Sequence, residues 1–303
     1  MAESACRGYA MGGRASLPLR QGAHIIWLQM SLRLGAVAVS LLLLAISCRG
    51  GGDELILATT TSVQDTGLLD ELREAYEDGT GYDMKPLAVG SGQALALGRR
   101  GEVDAVFTHS PADEAAFVAE GDGVGRREVM RNRFVVVGPE EDRAGVRGLS
   151  SAVEAFRRIA ATRSRFISRG DRSGTHQREL SLWRAAGVVP GGSWYQESGA
   201  GQGTNLFIAS DKDAYALSDD STFAVLRKRL DLEILVSDPE LVNVYSVIVV
   251  NAARHRQVNE EPARAFLAFM TSSRAQEIVR RFGLEEFGRP LFEPVPAVPL
   301  GGY

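Results

Sequence analysis

Three segments of the chain concentrate hydroxyl groups and glycine just before a helical pattern. They are Thr59-Thr60-Thr61-Ser62, Gly90-Ser91-Gly92, and Ser168-Arg169-Gly170-Asp171-Arg172-Ser173-Gly174-Thr175. Hydroxyls donate hydrogen bonds, and glycine lets a backbone approach a ligand closely. The first turn of a helix leaves N–H groups unpaired at its positive dipole end. Together such groups bind anions. Arg169 adds a fork-shaped, charge-assisted contact. Asp171 would repel an anion, so its expected role is to hold Arg169 in place. Each segment alone is also what a plain N-cap looks like. Three of them at strand ends favour an anion site.

Other chemistry is weaker in the pattern. Asp171, Ser173 and His176 supply the residue types of a serine hydrolase, with Ser173 as nucleophile. They crowd into six residues, however, and Ser173 is not in a Gly-x-Ser-x-Gly elbow. The four histidines show no metal-ligand spacing, so no metal and no cofactor are expected. Trp183, Trp194 and Tyr195 read as core aromatics, with an organic-ligand cleft as the alternative. Arg126, Arg127, Arg131 and Arg133 read as a solvated face.

The elements that must position the three loops alternate between strand and helix. Leu55 to Ala58 is a buried apolar run. Leu68, Leu69, Leu72, Ala75 and Tyr76 then fall on one helical face, with Gly79 as the stop. Strands follow at Met84–Val89 and Asp104–Phe107, with helices at Gln93–Arg100 and Ala112–Glu120. Phe134–Val137 is a further strand, broken by Gly138-Pro139. The pattern restarts with helices at Val153–Ala160 and Arg178–Ala186. Extended segments fall at Arg165–Ile167, around Glu197, and at Ala214–Leu217, Glu233–Val236 and Tyr245–Val250. Helices at Pro262–Met270 and Ser273–Phe282 close the body, and 290–303 reads as an extended strap. This repetition implies an α/β fold with parallel sheet. It divides into lobe 1 (54–136 plus 246–303) and lobe 2 (137–245), with crossovers at Phe134–Val137 and Val244–Val249 and a ligand between the lobes. A single doubly wound domain is the alternative.

The N-terminus is of another kind. Leu34 to Ile46 is an uncharged apolar run, flanked by Arg33 and closed by Ser47-Cys48. It has the length of a signal h-region and falls short of the roughly 20 residues of a membrane span. Residues 1–47 therefore read as an extension plus signal segment, and 48–53 as a tether. Met30 is the expected start, with a long n-region as the alternative. The only cysteines are Cys6 and Cys48, so a chain beginning at Cys48 has no disulfide. The 303 residues are 45% apolar and 24% charged, and their net charge is −4. Residues 1–47 carry +3, which leaves −7 on 48–303. That balance disfavours nucleic acid as a partner. Any attraction for an anion must then be local.

Three segments carry a resemblance: Leu57 to Ser62, Val89-Gly90-Ser91-Gly92-Gln93-Ala94-Leu95, and Ser168 to His176. They resemble the tungstate-binding component of bacterial ABC transporters, within the phosphate and oxyanion periplasmic-binding-protein-like superfamily. Gly201-Gln202-Gly203 and Ala214 to Asp219 are similar to that family's second-lobe pattern. The resemblance spans Leu55 to Pro290. It implies a type II periplasmic-binding-protein fold, with a mixed, mainly parallel sheet in each lobe and two crossover strands. It implies no enzyme activity. The ligand would be tungstate, with molybdate, sulfate or phosphate as alternatives, and the partners an ABC permease and ATPase. Oxyanion contacts carry over to Thr60, Thr61, Ser62, Ser91, Arg169, Ser173, Gly174 and Thr175. Phosphate-binding relatives place an Asp after the third strand; here the loop is Thr108-His109-Ser110-Pro111, without a carboxylate. A donor-only site suits an unprotonated anion. Gly203-Thr204-Asn205 departs from the family pattern, which has Met after the second Gly. The segment ending at Cys48 resembles a lipoprotein signal, which implies export to the periplasm or the outer face of the cytoplasmic membrane with a lipid anchor at Cys48; a monomer is expected.

Overall fold

The computed structural model describes residues 53–295. The signal segment, Cys48 and the tether through Gly52 lie outside them. Strand β1 (Glu54–Thr60) is apolar on both faces and runs parallel between β2 (Asp83–Val89) and β3 (Ala105–Thr108). It leads into a short helix, α1 (Thr61–Thr66), and then α2 (Leu68–Thr80). The buried face of α2 is the predicted set Leu68, Leu69, Leu72, Ala75 and Tyr76. The helix passes Gly79 and stops at Gly81, whose φ of 77° is the left-handed C-terminal turn that glycine adopts without strain. Helices α3 (Ser91–Arg99) and α4 (Pro111–Ala119) follow β2 and β3.

Two long strands join the halves of the molecule. β4 (Gly123–Gly138) and β8 (Glu233–Val250) pair antiparallel along most of their length. The sequence pattern shows only parts of each. In β4 the arginines and repeated register shifts hide the period of two before Phe134. In β8 the polar Ser237-Asp238-Pro239-Glu240 separates two apolar runs that belong to one strand. The sheet order is β2-β1-β3-β8-β4-β7, with β7 (Ala216–Asp219) antiparallel to β4. β5 (Phe166–Ser168) and β6 (Tyr195–Glu197) pair in parallel, and Phe166 bridges to Tyr215 just before β7. The first half thus places three strands beside the long antiparallel pair and the second half places β7 there, which makes this sheet mixed, while β5 and β6 form a two-stranded sheet of their own.

The second half carries α5 (Ala152–Thr162), α6 (Gly174–Ala185), α7 (Gln202–Asp211) and α8 (Asp220–Leu226). The sequence pattern does not show α7, and it starts α6 four residues late. Ser, Gly and Thr in their first turns are poor helix formers and excellent caps. Helices α9 (Glu260–Met270), α10 (Ser273–Arg281) and α11 (Leu284–Phe287) return to the first half. The tail inserts Leu291 and Phe292 into the core and pairs β9 (Glu293–Pro294) with β4. Trp183, Trp194 and Tyr195 pack with Phe156 and Phe166 as core aromatics. Two apolar clusters draw on residues up to Met130 and from Tyr245 onward, and two more on residues between Phe134 and Leu241.

Candidate functional site

All three predicted loops sit at C-terminal ends of strands, each feeding a helix. Thr60 ends β1 and Thr61 begins α1; Ser91 begins α3; Ser173 caps α6, with Gly174 and Thr175 in its first turn. Neither α1 nor α3 has a side-chain cap, so their first N–H groups keep donor capacity. Ser62, Ser91, Arg169, Ser173 and Thr175 are all buried.

Arg169 is the centre of the cluster. Only 2% of its surface is exposed. Its Nη2 donates to Asp171 Oδ2 at 2.5 Å and to Thr61 Oγ1 at 3.4 Å, and its Nη1 donates to Gln202 Oε1 at 3.3 Å. Thr61 Oγ1 also accepts from the Gln202 N–H at 3.4 Å. With both acceptor positions used, the Thr61 hydroxyl proton is free to donate elsewhere. Asp171 also accepts from the Ser173 N–H at 3.1 Å. Burial works against the Asp171 charge, but Arg169 and the Ser173 donors outweigh it and hold the carboxyl below its usual range. Among the buried polar atoms here, Arg169 Nε and Thr175 Oγ1 have no hydrogen-bond partner within the protein.

The loops touch one another. A Cβ on Gly92 would lie 2.8 Å from the Arg172 carbonyl oxygen, and one on Gly174 2.3 Å from that of His109. Only glycine permits these approaches, so the 91–92 and 108–109 loops close directly on the 170–175 loop. Ser91 Oγ accepts from the His109 N–H at 3.3 Å. Thr60 and Ser62 share a hydrogen bond at 3.1 Å, and Ser62 Oγ reaches Tyr245 Oη at 3.2 Å.

A polar relay from the long strands supports this floor, and nothing in the sequence pattern points to it. Asp219 accepts from Asn132 Nδ2 at 3.0 Å, and Asn132 Oδ1 accepts from Asn243 Nδ2 at 2.7 Å. Asn243 Oδ1 therefore faces His109 Nδ1 at 2.8 Å as an acceptor. The carboxylate end sets the direction of both amides, so Nδ1 carries the proton. Burial pushes the His109 pKa down to about 4, with Arg169 adding to the effect, and the ring stays neutral at pH 7. Gln202, Tyr245, Asn132 and Asn243 are thus site-supporting residues outside the predicted set. Asn205 is tied into its own half by bonds with Ser198 and the Ile167 carbonyl.

The hydrolase arrangement is not assembled. Ser173 Oγ accepts from the His176 backbone N–H as an N-cap, and the imidazole Nδ1 accepts from the Arg172 N–H. Among the described residues no group of three His, Cys, Asp or Glu is placed to hold a metal ion.

A family model described as a PBP superfamily domain matches residues 47–274. The tungstate-binding protein TupA of Peptoclostridium acidaminophilum is 42% identical over 243 residues, which cover 79% of this chain and 85% of that protein. The chain belongs to the tungstate-binding family of the PBP superfamily. Two solved structures agree with this membership. The tungstate ABC transporter structure from Geobacter sulfurreducens superposes with a TM-score of 0.69 at 42% identity, covering 74% of this chain and 97% of that one. TupA from Desulfovibrio alaskensis G20 gives 0.65 at 38% identity, covering 80% and 99%. These tungstate-family relatives are named as binding and transport proteins, not enzymes. Their fold is the two-lobed α/β fold seen here.

Proposed function

We propose that this chain is the extracytoplasmic solute-binding component of an ABC importer and that it holds tungstate between its lobes. One observation carries the reading: buried Arg169, from the loop after β5, meets the Thr61 hydroxyl and the open N-termini of α1 and α3, which follow β1 and β2 in the other half. Thr60, Thr61, Ser62, Ser91, Arg169, Ser173, the Gly174 backbone and Thr175 form the donor shell, and Asp171 orients Arg169. Lobe 1 comprises 54–136 and 246–303, and lobe 2 comprises 137–245; β4 and β8 are the hinge. The separation of the apolar clusters supports this division.

Binding involves no covalent step and no cofactor. Prearranged donors replace the hydration shell of the dianion. The closed form is then the one a permease recognises, with an ATPase behind it. The protein acts as a monomer, exported and lipid-anchored at Cys48. The 108–111 loop after β3 carries no carboxylate of its own, and the buried Glu114 beyond it is occupied by Thr108, the Ser110 N–H and Arg126; this favours an unprotonated tetrahedral anion over hydrogen phosphate. Competition calorimetry with tungstate, molybdate, sulfate and phosphate is the test. Tungstate should bind most tightly; equal or tighter binding of another of these anions would reassign the ligand.

A further inference from the structure

Four helices in this fold cap their own N-termini with a side chain. Ser151, Ser173, Asp219 and Ser272 each accept a hydrogen bond from the first turn of the helix they precede. Helix α7 differs. Its N-cap is Gly201, which has no side chain to offer, and its first turn contains no acidic residue. Its first two N–H groups are instead satisfied from α1, across the cleft. Gln202 N–H donates to Thr61 Oγ1 at 3.4 Å, and Gly203 N–H donates to Asp65 Oδ2 at 3.1 Å. A carboxylate here also meets the positive end of the helix dipole. The approach is close enough that a Cβ on Gly203 would lie 3.1 Å from Asp65 Oδ2.

We propose that Asp65 is a positioning residue of the anion site: a lobe 1 carboxylate that caps α7 of lobe 2 only when the cleft is closed, and so slows ligand release without touching the ligand. The proposal rests on the reading of the cleft as one that opens and closes. Asp65 stands at the rim, exposed to solvent on one side. Its position is coupled to the anion shell, because Thr61 both caps α7 and contacts Arg169. Opening removes both caps together and leaves two helical N–H groups to water. The closed state therefore has a contribution independent of the ligand. Burial holds the Asp65 carboxyl above its usual pKa, opposed by the Gly203 hydrogen bond and by Arg169.

The test compares wild type with Asp65→Ala and Asp65→Asn. Stopped-flow rates with sodium tungstate should show a release rate roughly three- to tenfold faster in Asp65→Ala, with the association rate unchanged. Asp65→Asn should restore slow release, because an amide oxygen can accept the same N–H. Amide hydrogen exchange at Gly203 should be slow in wild type and Asp65→Asn with tungstate, faster in both without it though still slower than in Asp65→Ala, and fast in Asp65→Ala under either condition. Wild-type release from Asp65→Ala, or release from Asp65→Asn as fast as from Asp65→Ala, would overturn the cap. If the wild type bound no tungstate, the ligand reading would fail, and Gly203 exchange would still decide the cap: equal exchange in all three proteins would refute it.

Discussion

At the scale of single residues, the site depends on one cation held in place by neighbours that are themselves held. Arg169 is buried and has Asp171, Thr61 and Gln202 as partners. Arg169→Ala removes the charge proposed to face the ligand and leaves the Asp171 carboxylate without its counter-ion. Losing one partner of a buried, hydrogen-bonded charge pair costs about 2–5 kcal/mol. Tungstate affinity should therefore fall at least thirtyfold, by roughly the factor that energy implies; calorimetry showing unchanged affinity would place the anion elsewhere. Asp219 provides a second residue-level test. Burial raises its pKa from 3.8 to about 6. The folded state then binds an extra proton between those values, so stability from this group is full below the window and is lost as pH rises through it. The loss is on the order of 3 kcal/mol. Asp219→Asn keeps acceptors for Asn132 and the Thr222 N–H and removes the titration. Denaturation curves at pH 4 and pH 6.5 should show the variant gaining on wild type by about that amount. Parallel pH dependence would contradict the assignment.

At the scale of elements, function follows from how closely helix N-termini approach opposing loops. Gly174, first residue of α6, lies against the His109 carbonyl, and a methyl group there would sit 2.3 Å away. That contact joins the two proposed lobes, so Gly174→Ala can relieve the clash by opening rather than unfolding. The variant should keep a thermal midpoint close to wild type by circular dichroism while losing most of its tungstate affinity. A large drop in midpoint would mean that the contact is core packing instead. The same elements explain what was legible in the sequence. Buried strands and the α2 face were readable because their apolar spacing has a local cause. The three donor loops were readable because each lies within a short segment. Asn243 was not, because its meaning comes from His109, 134 positions away. Gln202 acts through Arg169 33 positions earlier, and α7 depends on caps from another part of the chain. The middle stretches of β4 and β8 were hidden by arginines and by Pro239, which look like loop in isolation and are tolerable only because these strands bulge and face solvent there.

At the scale of the whole molecule, the proposed function has an acidic protein holding an anion. The residues from Cys48 onward carry a net −7, so the overall field opposes the ligand at long range. In the proposed site, attraction arises within a few ångströms, from buried Arg169 and the helix dipoles. Salt separates these two contributions. Raising ionic strength from about 0.05 M to about 0.5 M shortens the Debye length from roughly 14 Å to roughly 4 Å. Screening at that range weakens the repulsion of the surface but hardly reaches a buried guanidinium and its hydrogen-bonded neighbours. The association rate of tungstate should therefore stay level or rise with added sodium chloride, and its release rate should change little. A steep fall in affinity with salt would mean that solvent-exposed charges capture the anion in place of the closed cluster around Arg169.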